Sequence, residues 1–162
     1  MTPTSDPSDS DHSVLHSTFT LERRYPAPPS RVFAAWSDPA EKATWFAGAG
    51  VEHALDFRVG GRETVHCRRR PDAGPDLAVV SVYQHIDPDE RIVYTSTLSA
   101  DDELATVSLT TVEFSAEGDG TRLVLTEQGT FLDGREHPDW REQGTAEWLT
   151  ALATVFDAPA HT

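Results

Sequence analysis

Two acidic side chains stand out of step with the strands that carry them. In the run RETVHC, Val65 and Cys67 alternate with Thr64 and His66, and Glu63 falls in phase with the valine and the cysteine. In TRLVLTE, Leu123 and Leu125 share one face, and Glu127 is the next residue on it. Strand side chains alternate with period two, so each carboxylate points to the side that its apolar neighbours bury. A buried carboxylate costs free energy unless a partner compensates. Arg23 in FTLERRY, in phase with Leu21 and Tyr25, is a cation that the same alternation turns inward. Such groups could form an ion pair that keeps a sheet in register, or orient a ligand in an apolar cavity. As an acid–base pair with shifted pKa values they could serve a cyclase or hydratase. If the alternation fails at the strand ends, both carboxylates are simply wet.

Other chemistries have weaker grounds. His53, His66, His85 and His137 lie on separate elements, and no HExxH or CxxC spacing occurs, so no metal site is expected. Cys67 is the single cysteine; it has no internal disulfide partner and, in phase with Val65, reads as a small buried apolar residue. There is no GxSxG, GxGxxG or Walker pattern, and Gly60-Gly61 reads as a turn. No cofactor is expected.

These residues must be held by a particular order of elements. FTLERRY alternates as a strand and stops at Pro28-Pro29. RVFAAW carries the apolar stripe Val32, Phe33 and Trp36 of a short helix, and Asp38 can cap a second one, PAEKATWF. Six further strands follow: VEHALDF, RETVHCRRR, LAVVSVYQHI, RIVYTSTL, LATVSLTTVEFSA and TRLVLTEQG, most joined by tight turns such as DPDE and EGDG. Short connections between successive strands predict an antiparallel meander. From about residue 136 to 157, Trp148, Leu149, Leu152, Val155 and Phe156 recur at helical spacing. A sheet of this length with one long terminal helix is expected to curl around it and to leave a cavity in the seam. Tyr94, Ser96 and Thr110 would line the wall with Val65, Cys67 and the two glutamates. Trp148 and Leu152 would close it from the helix, and Trp45 and Phe46, just before Gly48-Ala49-Gly50, would form its mouth. Val32, Phe33, Trp36, Leu123, Leu125, Leu149 and Leu152 are the expected core. If the first and last strands are neighbours, Arg23 is the partner expected for Glu127.

The chain has 162 residues, one domain's worth, with 27 acidic against 13 basic residues and a formal charge of −14. So acidic a surface repels phosphate backbones and anionic headgroups, which argues against nucleic-acid and membrane partners. The cluster Arg68-Arg69-Arg70 reads as a solvated strand end. No apolar run approaches a membrane span and the N-terminus lacks the pattern of a signal peptide, so a cytoplasmic protein is expected. Residues 1–16, rich in Ser, Asp, Pro and Thr, are expected to form a disordered acidic tail ahead of a single domain at 17–158.

With APPSRVFAAWSDPAEKATWF early, VGGR in the middle, then YQHIDPDERIVYT, VEFSAEGDGTRLVLTEQGTFLDG and the final helix, the chain resembles the helix-grip superfamily. That superfamily includes the START domains, polyketide cyclases and Bet v 1-like proteins. The resemblance is to its bacterial members homologous to the C-terminal domain of the Hsp90 ATPase activator, and covers roughly residues 18 to 157. It implies an α+β helix-grip fold: a curved antiparallel sheet of about seven strands around a long C-terminal helix, with two short helices after the first strand. It also implies an aromatic or aliphatic residue at position 63, from which Glu63 departs. The expected function is non-catalytic binding of a small, mainly hydrophobic molecule between sheet and helix. The alternatives are a cyclase or hydratase using the cavity carboxylates, and a chaperone-interacting protein. Edge strands and an open mouth would also suit a homodimer.

Overall fold

The computed structural model describes residues 12–48, 51–68 and 74–157. The N-terminal segment as far as residue 11, and Arg69 and Arg70 of the basic cluster, lie outside the described residues.

Strand β1 (Val14–Tyr25) is followed by helices α1 (Pro29–Ser37) and α2 (Pro39–Phe46). Then come β2 (Glu52–Leu55), β3 (Arg62–Cys67), β4 (Leu77–Asp87), β5 (Arg91–Ala100), β6 (Glu103–Glu117) and β7 (Gly120–Leu132), and helix α3 (Pro138–Phe156) is the last of the described elements. The strands form one antiparallel sheet in the order β1-β7-β6-β5-β4-β3-β2. Strands β2 to β7 are thus a meander, and β1 closes against the last strand. This is the antiparallel meander that the pattern predicts, in the α+β helix-grip arrangement that the resemblance implies.

Local chemistry sets the boundaries. Each helix opens with a proline in its first turn, where the missing N–H has no intrahelical partner to lose. Asp38 caps α2 by accepting from the Glu41 N–H at 3.1 Å. Asp101 and Asp102 between β5 and β6 hold positive φ, a conformation that aspartate tolerates better than most side chains. Register shifts at Tyr83/His85 and Leu98/Ser99 mark irregularities that help to bend the sheet.

The strand begins earlier than the sequence suggests. Residues 14–16, read as tail, continue the β1–β7 ladder to the pair Val14↔Leu132. The Ser13 N–H donates to Asp133 Oδ1 at 3.0 Å and the Asp133 N–H donates to the Ser13 carbonyl at 2.8 Å. Backbone pairing, which needs no apolar side chain, carries the strand into the polar segment.

The concave face of the sheet packs against α1, α2 and the C-terminal half of α3. Val32, Phe33, Trp36, Leu123, Leu125, Leu149 and Leu152 are all buried, as their spacing requires. The Tyr25 hydroxyl donates to the Leu149 carbonyl at 2.8 Å, tying β1 to α3. Leu152 is wholly excluded from solvent. Leu152→Ala is therefore expected to cost about 2–4 kcal/mol in urea unfolding; a loss under about half a kilocalorie would mean that this face of α3 contributes little.

Candidate functional site

The core does not fill the space under the N-terminal half of α3. A cavity of about 290 Å³ lies there, walled by Val65 and Cys67 of β3, Leu77, Val79 and Ser81 of β4, and Tyr94, Ser96 and Leu98 of β5. Phe46, Ala47 and Val51 border it on one side. Trp140, Arg141, Gly144, Thr145 and Trp148 of α3 cover it. The wall is mostly apolar and aromatic. On its floor the hydroxyls of Ser81 and Ser96 satisfy each other at 2.7 Å.

Among the described residues, the charged ones on the wall are Glu127, Glu136 and Arg141. Arg141 Nε donates to Glu127 Oε2 at 3.1 Å, Nη2 to Glu127 Oε1 at 3.4 Å and to Ser108 Oγ at 3.1 Å, and Nη1 to Glu136 Oε1 at 3.2 Å. Thr110 donates to Glu127 Oε1 at 3.1 Å, and Thr106 to Glu136 Oε1 at 2.6 Å. The Arg141 and Glu127 side chains are only 10% and 7% exposed. Burial would push the guanidinium down, but the charges of Glu127 and Glu136 outweigh it and hold Arg141 above its ordinary value. Tyr94 lies between carboxylates. Burial raises its hydroxyl far above the usual range, and the charges of Glu127 and Glu63 raise it further, so it stays protonated.

Glu63 belongs to a second cluster. Its Oε1 accepts from Lys42 Nζ at 2.7 Å, and its Oε2 lies 2.8 Å from His53 Nε2. The Tyr83 hydroxyl is 3.3 Å from both Lys42 Nζ and Glu63 Oε1. Lys42, from α2, is 1% exposed. Its ammonium sits over the rings of Phe46 at 4.5 Å and Trp36 at 5.1 Å, with Trp45 and Tyr83 at 6.0 Å. Burial alone would raise the Glu63 carboxyl; the charge on Lys42 and the hydrogen bonds from His53 and Lys42 outweigh it and hold it below the ordinary range. Burial pushes Lys42 down, and the Glu63 charge and hydrogen bond oppose that.

Residues 26–157 match the profile of a family described as Activator of Hsp90 ATPase homolog 1-like protein. The chain belongs to this family. A crystal structure of a Rhizobium loti protein is similar to it at 46% identity with a TM-score of 0.82, covering 88% of this chain and 99% of that one. A Rhizobium leguminosarum protein is similar at 39% identity with a TM-score of 0.84, covering 90% and 97%. A Chromobacterium violaceum protein is similar at 28% identity with a TM-score of 0.70, covering 86% and 96%. No curated protein matches the chain.

Within this activator-homolog fold, the residues expected at the cavity divide. Phe46, Val65, Cys67, Tyr94, Ser96, Glu127 and Trp148 line it. Thr110 stands behind Glu127 as a hydrogen-bond donor and does not reach the wall. Leu152 lies one turn beyond Trp148, in the core. Trp45 is core as well: it packs on Trp36 at 4.9 Å and donates to the Ala35 carbonyl, because only Phe46 of the adjacent pair faces the opening. Glu63 is inward but sealed off by Lys42 and His53.

Arg23 is not the partner of Glu127. The strands are neighbours, but their register sets Phe19 opposite Glu127 and Arg23 opposite Leu123. Four residues of strand separate the two positions, roughly 13 Å. Arg23 donates instead to the Glu22 carbonyl. The carboxylates of Glu63 and Glu127 share no hydrogen-bond partner; each has its own cation.

Lys42, His53, Glu136 and Arg141 were not foreseen. Arg141 did have a signal: counted back from Leu152, Leu149, Trp148 and Thr145, it stands on the same stripe of α3. Lys42 is the sole lysine of the chain and precedes Trp45 and Phe46 by the three and four residues that put them on one helix face. Among the described residues, no group of three or more His, Cys, Asp or Glu is placed to hold a metal ion, and no helix is long and apolar enough to cross a membrane.

Proposed function

We propose that the protein binds, without chemically altering it, a small and mainly apolar molecule beneath the N-terminal half of α3. The observation that carries this reading is the cavity: an aromatic and aliphatic wall with polar groups gathered at one end, the composition of small-molecule sites. At about 290 Å³ it stands at the lower end of the range for such sites, roughly 300–1,000 Å³, which favours a compact molecule over a two-chain lipid. The separation of Glu63 from Glu127 supports binding over cyclase or hydratase chemistry. Each carboxylate is committed to its own cation, so neither is paired with the other as acid and base.

Gly144 provides the test. It lies on the helical wall of the cavity, and a Cβ built on it meets nothing within 4 Å. Gly144→Phe should fill the cavity while leaving stability unchanged or improved by up to about 1 kcal/mol, since glycine is a poor residue inside a helix. The neutral dye N-phenyl-1-naphthylamine should show saturable fluorescence enhancement with the parent protein. That affinity should fall at least about tenfold, a difference of about 1.4 kcal/mol, in Gly144→Phe. Equal binding by a folded Gly144→Phe would place the dye elsewhere and remove the reading.

A further inference from the structure

We infer that the cavity selects a ligand whose polar end donates hydrogen bonds, an alkyl or aryl ammonium or an alcohol, and rejects a carboxylate or phosphate of the same apolar size. This rests on the binding reading above and adds the chemistry of the ligand's head.

The donor and acceptor inventory carries the inference. Among the described residues, the charged side chains on the wall are two carboxylates, Glu127 and Glu136, and one guanidinium, Arg141. Of the five guanidinium N–H groups, those on Nε and Nη2 are engaged by Glu127 and Ser108, and one on Nη1 by Glu136. A single Nη1 N–H remains. Both oxygens of Glu127 are engaged, by Arg141 and Thr110. On Glu136, Oε1 takes both Arg141 and Thr106, and Oε2 has no hydrogen-bond partner among the described residues. The cluster thus keeps a negative excess and an open acceptor.

An incoming anion would meet two carboxylates and a cation already shared between them, where low dielectric strengthens the repulsion. An ammonium would meet Glu136 Oε2 and the faces of Phe46, Tyr94, Trp140 or Trp148, all on the wall and suited to cation–π contact. An alcohol can use the acceptor without bringing charge. Among the described residues, no other cation lines the wall, and Lys42 lies off it, held by Glu63. The first turn of α3 offers little either. The Asp139, Trp140 and Arg141 N–H groups are bonded to His137, and Asp139 adds a negative charge there.

Three probes of one chain length separate the possibilities: octylamine, 1-octanol and octanoate, each displacing N-phenyl-1-naphthylamine at neutral pH and physiological ionic strength. The expected order is octylamine, then octanol, with octanoate at least about tenfold weaker than octanol. In Glu136→Gln, octylamine should lose about fivefold or more while octanol changes less than about twofold, because only the cation used the carboxylate charge. Octanoate binding as tightly as octanol would overturn the head-group inference and leave the binding reading intact. So would an octylamine-to-octanol ratio unchanged in Glu136→Gln, since the preference would then come from the acidic surface as a whole. Displacement by none of the three would overturn the head-group inference too, while the binding reading is decided separately by the dye with Gly144→Phe.

Discussion

Lys42→Met is expected to lower folding stability by about 3–5 kcal/mol at neutral pH, the usual result of removing one member of a buried ion pair. Methionine keeps most of the aliphatic stem but not the ammonium, so the loss is that of the charge, with its bond to Glu63 and its place over the rings of Phe46 and Trp36. Glu63, 2% exposed, would be left with His53 and the Tyr83 hydroxyl. The pH dependence separates this from a packing defect. In the parent, the Glu63 carboxyl is held below its ordinary value, so its stabilising contribution is present above the unfolded pKa of about 4.3 and is lost as pH falls through the folded one. In Lys42→Met the Lys42 charge is gone and burial raises Glu63. A raised carboxyl contributes most below its unfolded pKa and loses that contribution as pH rises. The gap between parent and variant should therefore narrow on acidification from pH 7 toward pH 5, as read from urea midpoints at each pH. A gap that stays constant would mean that the missing amine mattered for its volume and not for its charge.

The contrast between the two buried carboxylates shows what can be read from a linear pattern. Alternation along RETVHC and TRLVLTE is a local property of each strand, and it places Glu63 and Glu127 on the inner face. Proline and aspartate at the ends of the short helices act within one turn, so those boundaries were legible too. Partners are a different matter. Lys42 reaches Glu63 from α2, and Arg141 reaches Glu127 from α3; both contacts depend on how a helix sits on the sheet. Arg23 met the two conditions available from sequence, the right face and a neighbouring strand. It failed on the third, register, which no hairpin turn fixes because five strands and two helices separate β1 from β7 along the chain. The helical stripe Arg141, Thr145, Trp148, Leu149 and Leu152 could have pointed to the true partner, but a charged residue at the end of an apolar stripe reads equally well as the solvated first turn of a helix.

Arg141→Leu is expected to be the costlier of two substitutions in the cavity cluster, at about 3–5 kcal/mol, against about 1–2 kcal/mol for Glu127→Leu. The asymmetry follows from the charge count. Removing Glu127 leaves Arg141 with Glu136 and Ser108, so no charge is stranded. Removing Arg141 leaves two carboxylates that one guanidinium had bridged, both largely excluded from water. With no cation between them, the two negative charges repel each other. The double variant Arg141→Leu with Glu127→Leu removes the bridging cation and one of the two anions. Glu136 then keeps Thr106 and some contact with solvent, so the double variant should be more stable than Arg141→Leu alone. Strictly additive losses, or a Glu127→Leu that costs more than Arg141→Leu, would show that the cluster is not coupled in this way. Because Arg141 also fastens the first turns of α3 over the cavity, its loss would disturb the site and the fold together. Glu136, at the margin of the same cluster and 15% exposed, is therefore the better position at which to test the proposed ligand recognition.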